Sequence, residues 1–148
     1  MAVDVVTEIV IERPVEEVAA YAANPAHAPQ WYVNIKSITW KTPPPLERGS
    51  LLAFKARFLG RELAYVYEVV EWIPGKKMVM RTADGPFPME TTYEWEALGP
   101  AKTHMRLRNR GNPSGFSSLM APLMVPAMRR ANRKDLGLLK KLLEKGNN

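Results

Sequence analysis

Few residues in this chain can do chemistry. It has no cysteine and two histidines. Without thiols there is no cysteine nucleophile, disulfide or thiolate metal site. His104 alternates outward beside Arg106, whereas His27 lies in a loop stretch, so the pair makes no metal cluster. No glycine-rich phosphate loop follows a strand. Ser114 precedes a glycine but lacks the Gly-x-Ser-x-Gly frame of a nucleophile elbow. No metal and no cofactor are expected. What remains is Asp135 and a set of neutral polar tips: Tyr65, Tyr67, Thr91, Tyr93, Trp95 and Asn109. Tyrosine hydroxyls can donate to a developing enolate. A dry pocket can also accelerate a cyclisation by holding a reactive chain folded.

Asp135 lies near the apolar edge of a helix. Its neighbours three and four residues away are Ala131, Asn132, Leu138 and Leu139, so its own helix offers no cation. It reaches solvent, stands as an acid in a cavity, or pairs with another element. A structural ion pair is the expected arrangement.

The elements that position these residues follow from periodicity. Val3 to Glu12 alternates and reads as a half-buried strand. Pro14 suits a first helical turn, and Val15, Val18, Ala19 and Ala22 recur at helical spacing until Asn24-Pro25 stops them. A second short helical piece covers Ala26 to Tyr32. Strands follow at Ile35 to Lys41, Ser50 to Leu59, Glu62 to Trp72 and Lys77 to Ala83. Two more run from Met89 through Glu96 and from Thr103 through Arg110, with turns at Gly60-Arg61, Pro74-Gly75, Asp84-Gly85-Pro86 and Gly99-Pro100. The stretch from Pro113 to Lys145 reads as the one long helix. The order β-α-α-β6-α indicates an α+β domain spanning residues 1–148, with a curved seven-stranded antiparallel sheet wrapped around the C-terminal helix.

At about 100° per residue, one stripe of that helix collects Met120, Leu123, Met124, Ala127, Ala131, Leu138 and Leu142. Met128 and Leu139 lie on its edge. Arg129, Arg133, Lys140 and Glu144 lie opposite. Pro122 and Pro126 loosen its first third, either accommodating the curve of the sheet or gating a cavity.

The inward faces carry two unusual features. Apart from Met1, every methionine lies after residue 77: Met78, Met80, Met89, Met105, Met120, Met124 and Met128. Methionine fills irregular space and suits adaptable binding surfaces. The same faces hold the polar tips named above, and a ligand pocket is mostly apolar with a few convergent polar groups. The alternatives are a solid core and a ligand cavity. The expected cavity wall is Phe54, Phe58, Tyr65, Tyr67, Met80, Met89, Thr91, Tyr93, Trp95, Met105, Leu107 and Asn109 from the sheet. Phe116, Met120, Leu123, Met124, Ala127 and Met128 complete it from the helical stretch.

Composition narrows the function classes. The chain has 148 residues and a net charge of +6, and eleven of its 21 basic residues lie from Lys102 onward. Aromatic residues are not interleaved with those charges, so no nucleic-acid surface is expected. No apolar run approaches a membrane span, and MAVDVVTEIVIERP lacks the pattern of a signal peptide. Integral membrane association is therefore not expected, and a reducing cytoplasm suits the chain. Val6 and Val10 on the outer face of the first strand leave a homodimer open.

Three stretches resemble the START-like, birch-pollen-allergen-like superfamily (SRPBCC) in its polyketide cyclase/dehydrase-like branch. ERPVEEVAAYAANPAHAPQWYVNIKSI resembles its opening. PLERGSLLAFKARFLGRELAYVYEVVEWIPGKKMVMRTADGPFPMETTYEWEAL resembles its central sheet, and RANRKDLGLLKKLLE the end of its long helix. The resemblance implies a helix-grip fold with a hydrophobic cavity between sheet and helix. It implies ligands such as lipids, sterols, polyketides or other aromatic compounds. It also places the NPAHAPQW and GPFPME stretches near the cavity mouth, making Trp31, Pro86 and Phe87 a rim. Three functions follow as expectations: binding of a hydrophobic small molecule, a cyclase/aromatase using the same cavity, or an interaction module docking through the basic helix face. Tyrosine hydroxyls converging with Asn109 at hydrogen-bond spacing favour the second.

Overall fold

The computed structural model describes residues 3–58, 60–85, 88–112 and 121–145. Strand β1 (Val3–Ile11) leads into helix α1 (Val15–Ala23). A 3-10 turn (Pro25–His27) then runs into the short helix α2 (Ala28–Trp31). Six strands follow: β2 (Ile35–Trp40), β3 (Leu51–Phe58), β4 (Arg61–Ile73), β5 (Lys77–Asp84), β6 (Met89–Gly99) and β7 (Lys102–Gly111). Helix α3 (Ala121–Lys145) closes the order. The expected α+β helix-grip architecture is present.

The seven strands form one antiparallel sheet in the order β1-β7-β6-β5-β4-β3-β2. From β3 onward each strand pairs with its predecessor, and β1 pairs with β7. Sequential hairpins explain the meander, since short turns favour antiparallel neighbours. The β1 and β2 edges lie at opposite ends of the sheet, and the α1–α2 segment carries the chain between them. Register shifts interrupt the β4–β5 pairing between Val66 and Tyr67 and again between Val69 and Glu71. Such irregularities bend and twist a sheet, and they let Met78, Val79 and Met80 all be buried in succession.

Helix α1 buries Val18, Ala19, Ala22 and Ala23. Its small residues allow close approach to the sheet. Asn24 ends it and accepts the Ala26 N–H at 3.0 Å, which starts the next turn.

Helix α3 differs from expectation in which face it buries. Met124, Asn132, Asp135, Leu136, Leu139 and Leu143 are buried. Leu123 and Leu142 are exposed, at 54% and 38%. The covered face is rotated from the expected stripe by roughly one residue, about 100°. Its two polar members, Asn132 and Asp135, carry no weight in an apolar count, so the count settled on the wrong centre. Pro122 falls in the first turn of the helix as it is described, and Pro126 lies inside it. The stretch from Pro113 to Met120, where the helix was expected to begin, lies outside the described residues.

The C-terminal half of α3 is fastened to the end of β1. Arg13 Nε donates to the Leu143 carbonyl at 3.0 Å, satisfying an acceptor of the last helical turn. The Glu12 N–H donates to Glu144 Oε2 at 2.8 Å, and Lys140 Nζ donates to the Val10 carbonyl at 2.9 Å. Among the described residues no helix is long and apolar enough to cross a membrane.

Candidate functional site

The interior divides along α3. Leu136, Leu139 and Leu143 belong to a solid core with Ile11, Val18, Trp31, Trp95, Met105 and Leu107. Farther toward the helix N-terminus, Met124 pairs with Leu63 in a separate cluster, joined by Phe58, Tyr65, Met89 and Met128. Between them lies a cavity of about 140 Å³. A space of about 150 Å³ takes a benzene-sized guest.

The sheet wall of the cavity includes Phe54, Phe58, Tyr65, Tyr67, Met80, Met89, Thr91, Tyr93 and Asn109, and the helix wall includes Met124 and Met128. All of these were among the expected lining residues. Strand alternation explains the sheet members, because every second side chain faces inward. Leu63 and Ala56 share those faces and also line the space.

Other expected residues lie elsewhere. Met105 and Leu107 are fully buried in the solid core, as is Trp95, because α1 and the leucines of α3 cover that end of the sheet. Trp31 is not a rim residue: it is fully buried, stacked on Tyr32 with ring centroids 4.1 Å apart and tilted against Tyr93. Leu123 faces outward, and Ala127 is half-buried off the wall, both because of the helix rotation. Pro86, Phe87, Phe116 and Met120 lie outside the described residues. His27 is held away from the cavity, its Nδ1 3.2 Å from the Tyr21 carbonyl oxygen and its ring stacked on Tyr21. His104 sits at the surface, 3.0 Å from Glu8.

Several wall residues escaped the sequence reading. Val3, Arg110 and Gly111 close the β1–β7 end, and Tyr32, Asn34 and Ile35 enter from the α2–β2 connection. Ala131, Asn132 and Asp135 complete the helix wall. Burial on the true helix face was the missing signal for the last two. Tyr32 could have been found from its place three residues before an alternating strand.

Two polar clusters cross the wall. The Tyr67 hydroxyl lies 2.8 Å from Thr91 Oγ1, which donates to Asn109 Oδ1 at 2.8 Å. Threonine has one hydroxyl proton, so Tyr67 donates to Thr91 and Thr91 to Asn109. The chain runs across β4, β6 and β7 and links Tyr67 to Asn109 through Thr91. In the second cluster the Tyr32 and Tyr93 hydroxyls hydrogen-bond each other. That pair consumes one proton and leaves one to give.

Burial pushes all these phenols up. Tyr67 rises to about 12 although Thr91 opposes the shift. Tyr32, Tyr65 and Tyr93 are also raised, chiefly by burial. They are neutral near pH 7 and act as donors, not bases. Tyr65 stacks on Phe54 with ring centroids 5.4 Å apart.

Among the described wall residues, Asp135 is the one poised to exchange a proton near neutrality. It is 2% exposed, and its Oδ1 accepts the Val33 N–H at 3.0 Å. Burial pushes its carboxyl up from 3.8 to about 7, against opposing contributions from the Val33 N–H and Lys134. The expected structural ion pair is absent: among the described residues no cation lies within salt-bridge distance of Asp135. The rotation of the helix turns Asp135 into the cavity wall. Among the described residues no group of three or more metal-ligating side chains is assembled.

Comparison with known proteins agrees with this fold. No curated protein matches the chain. Solved structures do. TTHA0849 from Thermus thermophilus superposes with a TM-score of 0.82 at 18% identity, covering 98% of this chain and 99% of its own. A START superfamily protein from Mycobacterium smegmatis gives a TM-score of 0.82 at 15% identity, covering 96% and 97%. The Zhui aromatase/cyclase of a Streptomyces species gives 0.81 at 11% identity, covering 98% and 95%. At these identities the likeness is one of fold. The family model for polyketide cyclase/dehydrase and lipid transport matches residues 2–144. The chain therefore belongs to the polyketide cyclase/dehydrase and lipid transport family.

Proposed function

We propose that the protein binds a hydrophobic small molecule, a lipid, polyketide or aromatic compound, between the sheet and the N-terminal half of α3. The observation that carries this reading is the cavity of about 140 Å³ beside a solid core. Apolar wall without packed neighbours forfeits dispersion contacts that a bound apolar guest supplies. The methionines on both walls let the space reshape around guests of different size. Native mass spectrometry of protein purified from its own cells without detergent tests this. Discrete adducts that vanish in organic solvent support it. A clean spectrum, together with no thermal shift across lipid, polyketide and aromatic panels, removes it.

A cyclase/aromatase using the same cavity is the second reading, and Asp135 favours it. A carboxyl near pH 7 in a dry pocket can give and take a proton. The Tyr65 hydroxyl and the spare proton of the Tyr32–Tyr93 pair can stabilise developing negative charge on an oxygen. Turnover of a poly-β-ketone substrate that disappears in Asp135→Asn supports it. Unchanged cyclisation rates with and without protein remove it.

A further inference from the structure

The cavity wall contains one unsatisfied amide. Asn132 is 5% exposed, lines the cavity and has no hydrogen-bond partner for its side-chain nitrogen. Among the described residues no hydrogen bond reaches its carboxamide oxygen either. This contrasts with several polar groups on the same wall. Tyr67, Thr91 and Asn109 bond in series, Tyr32 pairs with Tyr93, and Asp135 takes the Val33 N–H. Leaving a buried amide unpaired costs far more than pairing it returns. Asn132 belongs to the wall of the space a guest would occupy.

From this we infer that the ligand carries an uncharged oxygen, a carbonyl or hydroxyl, that accepts a hydrogen bond from the Asn132 carboxamide. The inference rests on the hydrophobic-ligand reading and narrows it to compounds with an apolar body and a neutral oxygen at the helix-facing side. Charge argues for the neutral form. Asp135 stands three residues along the same helix face and repels an anion once ionised. Arg110, the cation on the wall, is engaged by Glu90 at 4.0 Å.

The test uses two isosteric probes, acetophenone and α-methylstyrene, which differ by a carbonyl oxygen in place of a methylene group. Binding of both is measured by calorimetry to the wild type and to Asn132→Leu, whose side chain keeps the branched shape without the amide. Comparing the ratio of dissociation constants between proteins cancels the hydration difference between probes. The wild-type ratio should favour acetophenone about tenfold more than the Asn132→Leu ratio does, the size of a buried hydrogen bond with an otherwise unpaired donor. In the wild type alone, the Asn132 side-chain NH₂ resonances should move with acetophenone and stay with α-methylstyrene. This second reading holds even if the variant folds poorly. Equal ratios, or NH₂ signals indifferent to the carbonyl, overturn the inference, while the apolar cavity still stands. If neither probe nor any larger apolar compound binds, the hydrophobic-ligand reading falls and this inference with it.

Discussion

The raised carboxyl of Asp135 makes stability fall as pH rises, and Asp135→Asn should remove that fall. An Asp held at about 7 in the folded chain and at 3.8 when unfolded keeps its proton longer in the native state. Below about pH 4 both states are protonated and burial costs nothing extra. Between about pH 4 and 7 the unfolded state ionises first, so stability drops by up to about 1.4 kcal/mol per pH unit. Above about 7 both states are ionised and the penalty is complete, about 4 kcal/mol in full. Relaxation and water entry reduce it, so roughly 2–4 kcal/mol is expected. Asn is nearly isosteric and its Oδ1 can still accept the Val33 N–H. Urea denaturation of both proteins at pH 4.5, 6 and 8 provides the assay. Other titrating groups are common to the two proteins, so the difference isolates Asp135. The gain of Asp135→Asn over wild type should be small at pH 4.5 and reach roughly 2–4 kcal/mol at pH 8. A difference that does not change with pH, or a variant less stable than wild type at pH 8, refutes the reasoning.

Further outcomes follow from the same geometry. Met124→Trp should fill the cavity, abolishing probe binding while changing stability by no more than the roughly 1–3 kcal/mol of an overpacked site; retained affinity in calorimetry contradicts the assigned location. Leu139→Ala should cost about 2–5 kcal/mol in urea melts, whereas Leu123→Ala should stay within about 0.5 kcal/mol, because the first is buried and the second 54% exposed. Equal costs would restore the helix face that an apolar count suggests. Tyr67→Phe removes the donor to Thr91 but leaves the Thr91–Asn109 bond, so it should cost about 1 kcal/mol of stability by thermal denaturation.

The fold was legible because strands declare themselves by alternation. Leu52, Phe54 and Ala56 on β3, and Thr91, Tyr93 and Trp95 on β6, face inward as their spacing requires. Turns at Gly60 and Gly75 mark the hairpins, and both glycines adopt positive φ, at 77° and 78°. The site was legible only where it lay on strands. Alternation says which side chains point inward, not how far along the sheet the helix fills the space. Trp95, Met105 and Leu107 therefore looked equivalent to Tyr93, Thr91 and Asn109, although leucines of α3 cover the first group. On the helix, a stripe built from apolar residues could not include Asn132 and Asp135, which sit on the buried face because the cavity is there. Tyr32 and Val33 belong to a connection whose path periodicity does not set. The contact of Val33 with Asp135 is separated by 102 residues in sequence and closes only in three dimensions.

The central claim is that a small apolar molecule occupies the space between sheet and helix, and the methionines report on it directly. Met80, Met89, Met124 and Met128 line the cavity, while Met78 and Met105 sit in the solid core. Methyl NMR of the ¹³C-methionine protein, titrated with acetophenone and separately with decanol, reads these sites in one spectrum. Saturable shifts at the four cavity methyls, with Met105 unmoved, are the predicted result. Methyls that stay fixed with both probes, or that move only outside the cavity, would contradict the account.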